Sequence, residues 1–145
     1  MLTPLLFCLV FVVHSTAACT EFIVSCKDET TIVGRTMEYA INFKSNVISA
    51  PKGISFKSTV TENCKTSIEW ESKHKVLYVN SDTKTIEDSK NIWLDGQNDA
   101  GLSVGVLYFP GYAWYPKTVP DESCSNALSH MEVAQYILSK SYRKY

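Results

Sequence analysis

The chain has 145 residues, 45% apolar and 20% charged, and its 14 basic and 15 acidic side chains leave a formal net charge of −1. That is enough chain for one globular domain and too apolar for a disordered one. The even charge balance, with no polybasic run, excludes the electrostatic footprint of nucleic-acid binding or of adhesion to an anionic membrane.

The first eighteen residues stand apart from the rest. Leu5 to Val13 is an apolar run broken only by Cys8, and His14-Ser15-Thr16 and the small pair Ala17-Ala18 follow. A bilayer span needs about 20 apolar residues. The run is too short for that but fits the core of a signal peptide, and Thr16-Ala17-Ala18 fits a signal-peptidase site. The leader carries no Lys or Arg before the run. The expectation is a signal peptide over 1–18 and a mature chain over 19–145, secreted or periplasmic, with no stable membrane insertion after cleavage. Four cysteines then remain, Cys19, Cys26, Cys64 and Cys124. An oxidising compartment favours disulfides, and four cysteines allow three pairings. If Cys19 is a free thiol, Cys64 and Cys124 are the candidate pair.

Along the mature chain, Thr20 to Cys26 alternates as a strand, Lys27-Asp28-Glu29 reads as a turn, and the β-branched run Thr30 to Gly34 returns to complete a hairpin. Short strands are expected at Val47 to Ser49 and Ile54 to Phe56, around Pro51-Lys52-Gly53, then at Val76 to Val79 and Ile92 to Leu94. The polar stretches 59–66 and 80–90 read as surface loops, and Asp95-Gly96-Gln97-Asn98-Asp99 as a turn cluster. Leu102 to Phe109 reads as a strand stopped by Pro110-Gly111, with an aromatic loop from Tyr112 to Tyr115. Leu128, Met131, Val133, Ala134, Ile137 and Leu138 have helical spacing, capped by Asn126 or Ser129. Many strands followed by one short helix make an α+β chain. Lys140 to Tyr145 reads as a solvated helix end.

Cys19 carries the chemistry. A cysteine placed at a new N-terminus by cleavage has a thiol that attacks carbonyl carbon, and a freed α-amine, ordinarily of pKa about 7.7–8.0, that serves as its base. No histidine is then required, and neither His74 nor His130 sits in a motif. From the terminus alone, a nucleophile, a disulfide half and a lipid anchor stand level. The lipoprotein reading expects an aliphatic residue where Thr16 stands and basic residues in the leader.

Four blocks decide the matter: Cys19-Thr20-Glu21-Phe22, Gly34-Arg35-Thr36-Met37-Glu38-Tyr39, Leu94-Asp95-Gly96-Gln97-Asn98-Asp99-Ala100-Gly101-Leu102 and Leu107-Tyr108-Phe109-Pro110-Gly111-Tyr112. In this order, with steps of sixteen residues from Cys19 to Arg35 and nineteen to Glu38, they resemble the choloylglycine hydrolase family, which holds conjugated bile acid hydrolases and penicillin V acylases. The resemblance spans Cys19 to Leu138 and corresponds to the N-terminal part of a family member. It implies an N-terminal-nucleophile fold, a four-layer αββα sandwich of two stacked sheets between helix layers. It also implies hydrolysis of a linear, non-peptide amide C–N bond through a thioester. The substrate would be a small N-acyl or bile-acid-like amide, with no metal or organic cofactor. Cys19 matches the nucleophile. Arg35 matches an arginine beside it, whose charge would favour the thiolate. Tyr108 matches an oxyanion-hole position, and tyrosine there looks more like the penicillin V acylases. Glu38 stands where the family has aspartate to hold the α-amine, one methylene longer. A further asparagine and arginine of the family's later half lie beyond this chain. The resemblance therefore implies an incomplete site, and a chain of this length is expected to be neither stably folded nor active.

The rival is a secreted binding protein or lipoprotein without catalysis, stapled by pairing of all four mature cysteines. Asp95, Gly96 and Asn98 read as turn-formers before chemistry. Trp93, Tyr112, Trp114 and Tyr115 divide evenly between a pocket lining and core or rim. Oligomeric state has no signature in the sequence.

Overall fold

A computed structural model of the chain describes residues 19–39, 42–59, 64, 66–82, 92–107, 114 and 121–141. The expected leader, Tyr108 and the loop tyrosines Tyr112 and Tyr115 lie outside the described residues. Among the described residues no helix is long and apolar enough to cross a membrane.

Among the described residues, eight strands, two 3₁₀ helices and one α-helix form a sheet-rich α+β arrangement. Strands β1 (Thr20–Ser25) and β2 (Thr31–Thr36) make the expected N-terminal hairpin. Its turn is shaped by Glu29, at φ 67°, and by the Asp28 carboxylate, which accepts a hydrogen bond from the Thr30 N–H at 3.1 Å. Strands β3 (Val47–Ala50), β6 (Val76–Ser81), β7 (Ile92–Asn98) and β8 (Ser103–Gly105) form a four-stranded antiparallel sheet in the order β3-β6-β7-β8. Strands β4 (Ser55–Lys57) and β5 (Glu69–Glu71) form a separate ribbon. The two strands that flank Pro51-Lys52-Gly53 therefore do not pair with each other.

Helix α1 (Val133–Lys140) lies on one face of the four-stranded sheet. Its Ala134 and Leu138 join Ala50, Val76, Tyr78 and Trp93 in the core. Trp93 is stacked on Tyr78 with ring centroids 3.9 Å apart and meets the edge of Phe56 at 5.9 Å. Phe56 stacks on Trp70, which meets Tyr136 of the helix. These aromatics fasten the ribbon and the helix to the sheet, since each large ring buries much apolar area. The disulfide Cys64–Cys124 adds a covalent tie across 60 residues, in agreement with the candidate pairing.

Three expectations are corrected. The cluster Asp95 to Asn98 is strand, and the turn falls on Asp99-Ala100-Gly101, with Gly101 at φ 78°. Turn-type residues sit in a strand here because tertiary contacts use each of them. Asn80 and Ser81, placed in a surface loop by their polarity, end β6 and are buried. The helix begins later than its apolar spacing suggests. Ser129 caps a 3₁₀ turn, His130–Glu132, by accepting the Met131 N–H, and α1 starts only at Val133.

Candidate active site

Cys19 is a half-buried free thiol one residue ahead of β1. The hairpin fixes its neighbours. Thr20 pairs with Thr36 and Glu21 with Arg35, and the Thr20 N–H donates to the Thr36 hydroxyl at 3.3 Å. Alternation along a strand returns side chains to one face every second residue. Cys19 therefore shares a face with Glu21, and with Arg35 opposite it. Cys26, the other free thiol among the described residues, stands seven residues along the same strand direction, roughly 23 Å at about 3.3 Å per residue. A disulfide needs Cα atoms within about 7 Å. Cys19 and Cys26 of one chain thus cannot pair, and with Cys64–Cys124 formed the fully stapled arrangement does not occur.

Arg35 is a buried cation, its side chain only 6% exposed. Its Nη1 donates to the Leu94 carbonyl at 2.9 Å and lies 3.7 Å from Asp95 Oδ2. Both partners come from an irregularity in β7. Val79 pairs with Asp95 but Asn80 pairs with Trp93, which leaves Leu94 as an extra residue. This β-bulge re-aims the side chains on either side of it. Trp93 turns to the core beside α1, and Asp95 turns to the hairpin. On β8, Gly105 pairs with Asp95. A Cβ there would lie 3.2 Å from Arg35 Nη1 and 3.3 Å from Glu21 Oε2. The bare glycine lets the hairpin's charged pair approach the sheet.

The Asp-Gly-Gln-Asn motif now has a use for each end. Asp95 faces the hairpin. Gly96 faces α1, where a Cβ would meet Leu138 Cδ1 and the Leu77 carbonyl at 2.9 Å each. Asn98 is buried beneath the end of α1. Thr36 and Gly105 are site-forming residues that sequence reasoning passed over. For Thr36 the signal was its place in the Gly-Arg-Thr-Met-Glu block. Gly105 carried none, because its use depends on a partner 70 residues away.

The remaining candidates divide. Glu38 is exposed beyond the end of β2 and makes no hydrogen bond or ion pair among the described residues. Tyr108 lies outside the described residues. Trp93 belongs to the core and not to a pocket, at 1% exposure, whereas Trp114 is 81% exposed. His74 bonds Asp99 at 2.9 Å, on the side of the sheet end that carries the β7–β8 turn. It ties that turn to the start of β6 and has no place beside Cys19. Among the described residues no cluster of His, Cys, Asp and Glu has the makings of a metal site.

A model of the choloylglycine hydrolase family, the linear amide C–N hydrolases, matches residues 19–143. No individual curated protein matches the chain. The family match starts at the free cysteine and takes in the hairpin, the bulged strand and the helix that packs on it. The chain therefore belongs to the choloylglycine hydrolase family of linear amide C–N hydrolases.

Proposed function

We propose that the protein is exported, that removal of residues 1–18 leaves Cys19 as the N-terminus of the mature chain 19–145, and that this cysteine is the nucleophile of amide hydrolysis. The observation that carries the reading is the free thiol of Cys19 on the face of the hairpin that holds a buried arginine. The Cys19 α-amine accepts the thiol proton, and sulfur attacks the amide carbon to form a C–S bond. The carbonyl electrons move to oxygen, and Tyr108, which matches the family's oxyanion-hole position, is the proposed source of an N–H donor to the negative charge. The tetrahedral intermediate collapses as the C–N bond breaks, and the amine leaves with the proton held by the α-amine. Water then cleaves the thioester, releasing the acid and restoring the thiol. Arg35 favours the thiolate at the start of this cycle, and Glu38, exposed beyond β2 and without a partner among the described residues, is the candidate anchor for the α-amine once cleavage frees it. In this reading the strands and helix form part of a four-layer N-terminal-nucleophile sandwich. The substrate is a small N-acyl amide, of the penicillin V or conjugated bile acid type.

The test has two parts. N-terminal sequencing of the secreted product should begin at Cys19, with no lipid attached. Cys19→Ser should remove most of whatever turnover of penicillin V or a glycine-conjugated bile acid the secreted protein shows, because a serine hydroxyl is hardly ionised near neutral pH. Full turnover by the serine variant, or a product that retains residues before Cys19, sinks the assignment.

A further inference from the structure

We infer that Asp95 is a positioning residue for this site: it holds Arg35 in the orientation that favours the Cys19 thiolate, with the bulge at Leu94 and the bare backbone of Gly105 as the other walls of the clamp. The inference rests on the reading of Cys19 as nucleophile and adds a residue from a different sheet to its machinery.

The geometry is specific. With its side chain only 6% exposed, Arg35 has lost much of its hydration, and a buried charge is tolerated only when paired and hydrogen-bonded. Arg35 Nε is itself buried with no partner among the described residues. Its orientation is therefore set at Nη1, by the Leu94 carbonyl at 2.9 Å and the Asp95 carboxylate at 3.7 Å. The Leu94 carbonyl is shared, since it also accepts the Val106 N–H at 2.8 Å. A regular β7 would point Asp95 and the Leu94 peptide differently, so the bulge is what presents both to one cation. Among the described residues, two carboxylates stand beside Arg35. Glu21 stands opposite it on β1, Asp95 comes from β7, and β8 supplies only the glycine backbone. Glu21 lies on the same strand face as Cys19 and raises the negative potential there. Asp95 acts from the far side of Arg35. Loss of Asp95 frees the guanidinium to swing toward Glu21, which would withdraw its charge from the thiol.

The test is the pH dependence of Cys19 alkylation by iodoacetamide, read as the labelled Cys19 peptide by mass spectrometry on the full chain. A simple charge effect and a positioning effect have opposite signs. Removing a nearby anion by itself favours the thiolate and lowers the labelling midpoint. Removing the support of Arg35 raises it. Asp95→Asn should therefore move the midpoint up and slow Cys19 labelling near neutral pH by on the order of tenfold. Asp95→Glu should restore most of the shift. Gly105→Ala, which crowds Arg35 without changing any charge, should move the midpoint in the same direction. In an Arg35→Ala background Asp95→Asn should produce no further rise. A fall or no change in Asp95→Asn overturns the proposal, as does an equal rise in the Arg35→Ala background. If Asp95→Asn fails to form the Cys64–Cys124 disulfide, the Gly105→Ala result decides alone. Because labelling needs no amide turnover, this outcome reads separately from the loss or survival of hydrolysis in Cys19→Ser.

Discussion

Asn98 uses all four hydrogen-bonding positions of its amide. Its Nδ2 donates to the Leu138 carbonyl at 2.9 Å and to the Ser141 carbonyl at 2.7 Å, and its Oδ1 accepts from the Ala100 and Leu102 N–H groups at 3.1 and 3.0 Å. One side chain thus closes the β7–β8 turn and satisfies carbonyls at the end of α1, which otherwise have no partner within the helix. Asn98→Ala would strand two donors and two acceptors at a buried position, and the expected loss is about 2–4 kcal/mol of stability, measured by urea unfolding. Asn98→Asp keeps the acceptor but turns a carboxylate toward two carbonyls. It should be destabilising at neutral pH and recover in part when the carboxyl is protonated. Gly96→Ala, with a Cβ 2.9 Å from the Leu77 backbone oxygen, should cost about 1–3 kcal/mol, because backbone cannot move aside as a side chain can. The composition of Asp95 to Asn98 reads as turn chemistry, and only the contacts from β6 and α1 reveal a strand. That is why this motif was legible as a motif but not as a structure.

Two exposed aspartates fix the ends of strands, and both titrate below the ordinary carboxylate value of 3.8. Hydrogen bonds from Thr30, from its hydroxyl and then its N–H, hold the Asp28 carboxyl down. The Lys75 N–H does so for Asp99, with His74 second. A carboxyl with a folded pKa below its unfolded value adds stability that is present above about pH 4 and lost as pH falls through the folded pKa. The β1–β2 turn and the β6–β7–β8 end should therefore loosen below pH 4. Both groups are solvent-exposed, so the effect should be small. Side-chain carboxyl NMR titrations should give Asp28 and Asp99 midpoints below the ordinary aspartate value of 3.8, and Asp28→Asn and Asp99→Asn should flatten the acid limb of stability. Glu132 fastens another element. Its carboxylate accepts from the Ser58 hydroxyl and from the N–H and hydroxyl of Thr59, while Ser58 Oγ accepts the Ser129 N–H. Ser129 and Glu132 have the spacing of a capping box, yet the hydroxyl of Ser58, 71 residues away from Ser129, stands between them. The sequence carries the box; it cannot carry the insertion. Strand β5 was missed for a similar reason, since Glu69-Trp70-Glu71 has one apolar residue and becomes a strand only through Phe56 and Ser139, which accepts the Trp70 Nε1–H.

At the scale of the molecule, the hairpin and the rest of the fold are built differently. The sheet, ribbon and α1 share a buried aromatic core, and the helical spacing and most of the strands were legible in the sequence, β5 and the second half of β7 excepted. The hairpin was equally legible as an element, but its surroundings were not. Alternation predicts one covered face, whereas Phe22, Ile23, Val24, Ile32 and Val33 are all exposed, on both faces. Among the described residues, β1 and β2 pair only with each other, so each presents an open edge to them. Arg35, through Leu94 and Asp95, is the polar tie from the hairpin to the sheet among the described residues. Few buried contacts and a two-stranded ladder mean low local stability, since an isolated hairpin is marginal in water. Amides of 20–25 and 31–36 should thus exchange hydrogen faster than those of β6 and β7 by at least about tenfold, and Arg35→Ala should widen the gap. Apolar faces beside open edges also promote strand-to-strand association. Purified 19–145 should associate at micromolar concentration, read by light scattering. Ile23→Lys, which puts a charge on the 67% exposed position, should suppress it. The substitution leaves the core of sheet, ribbon and α1 untouched, so the melt should match that of the unsubstituted chain. If association persists in Ile23→Lys and in a matching Val24→Lys variant, the hairpin is not the surface through which the chain sticks. Uniform slow exchange across the hairpin would show further that something beyond Arg35 holds it down.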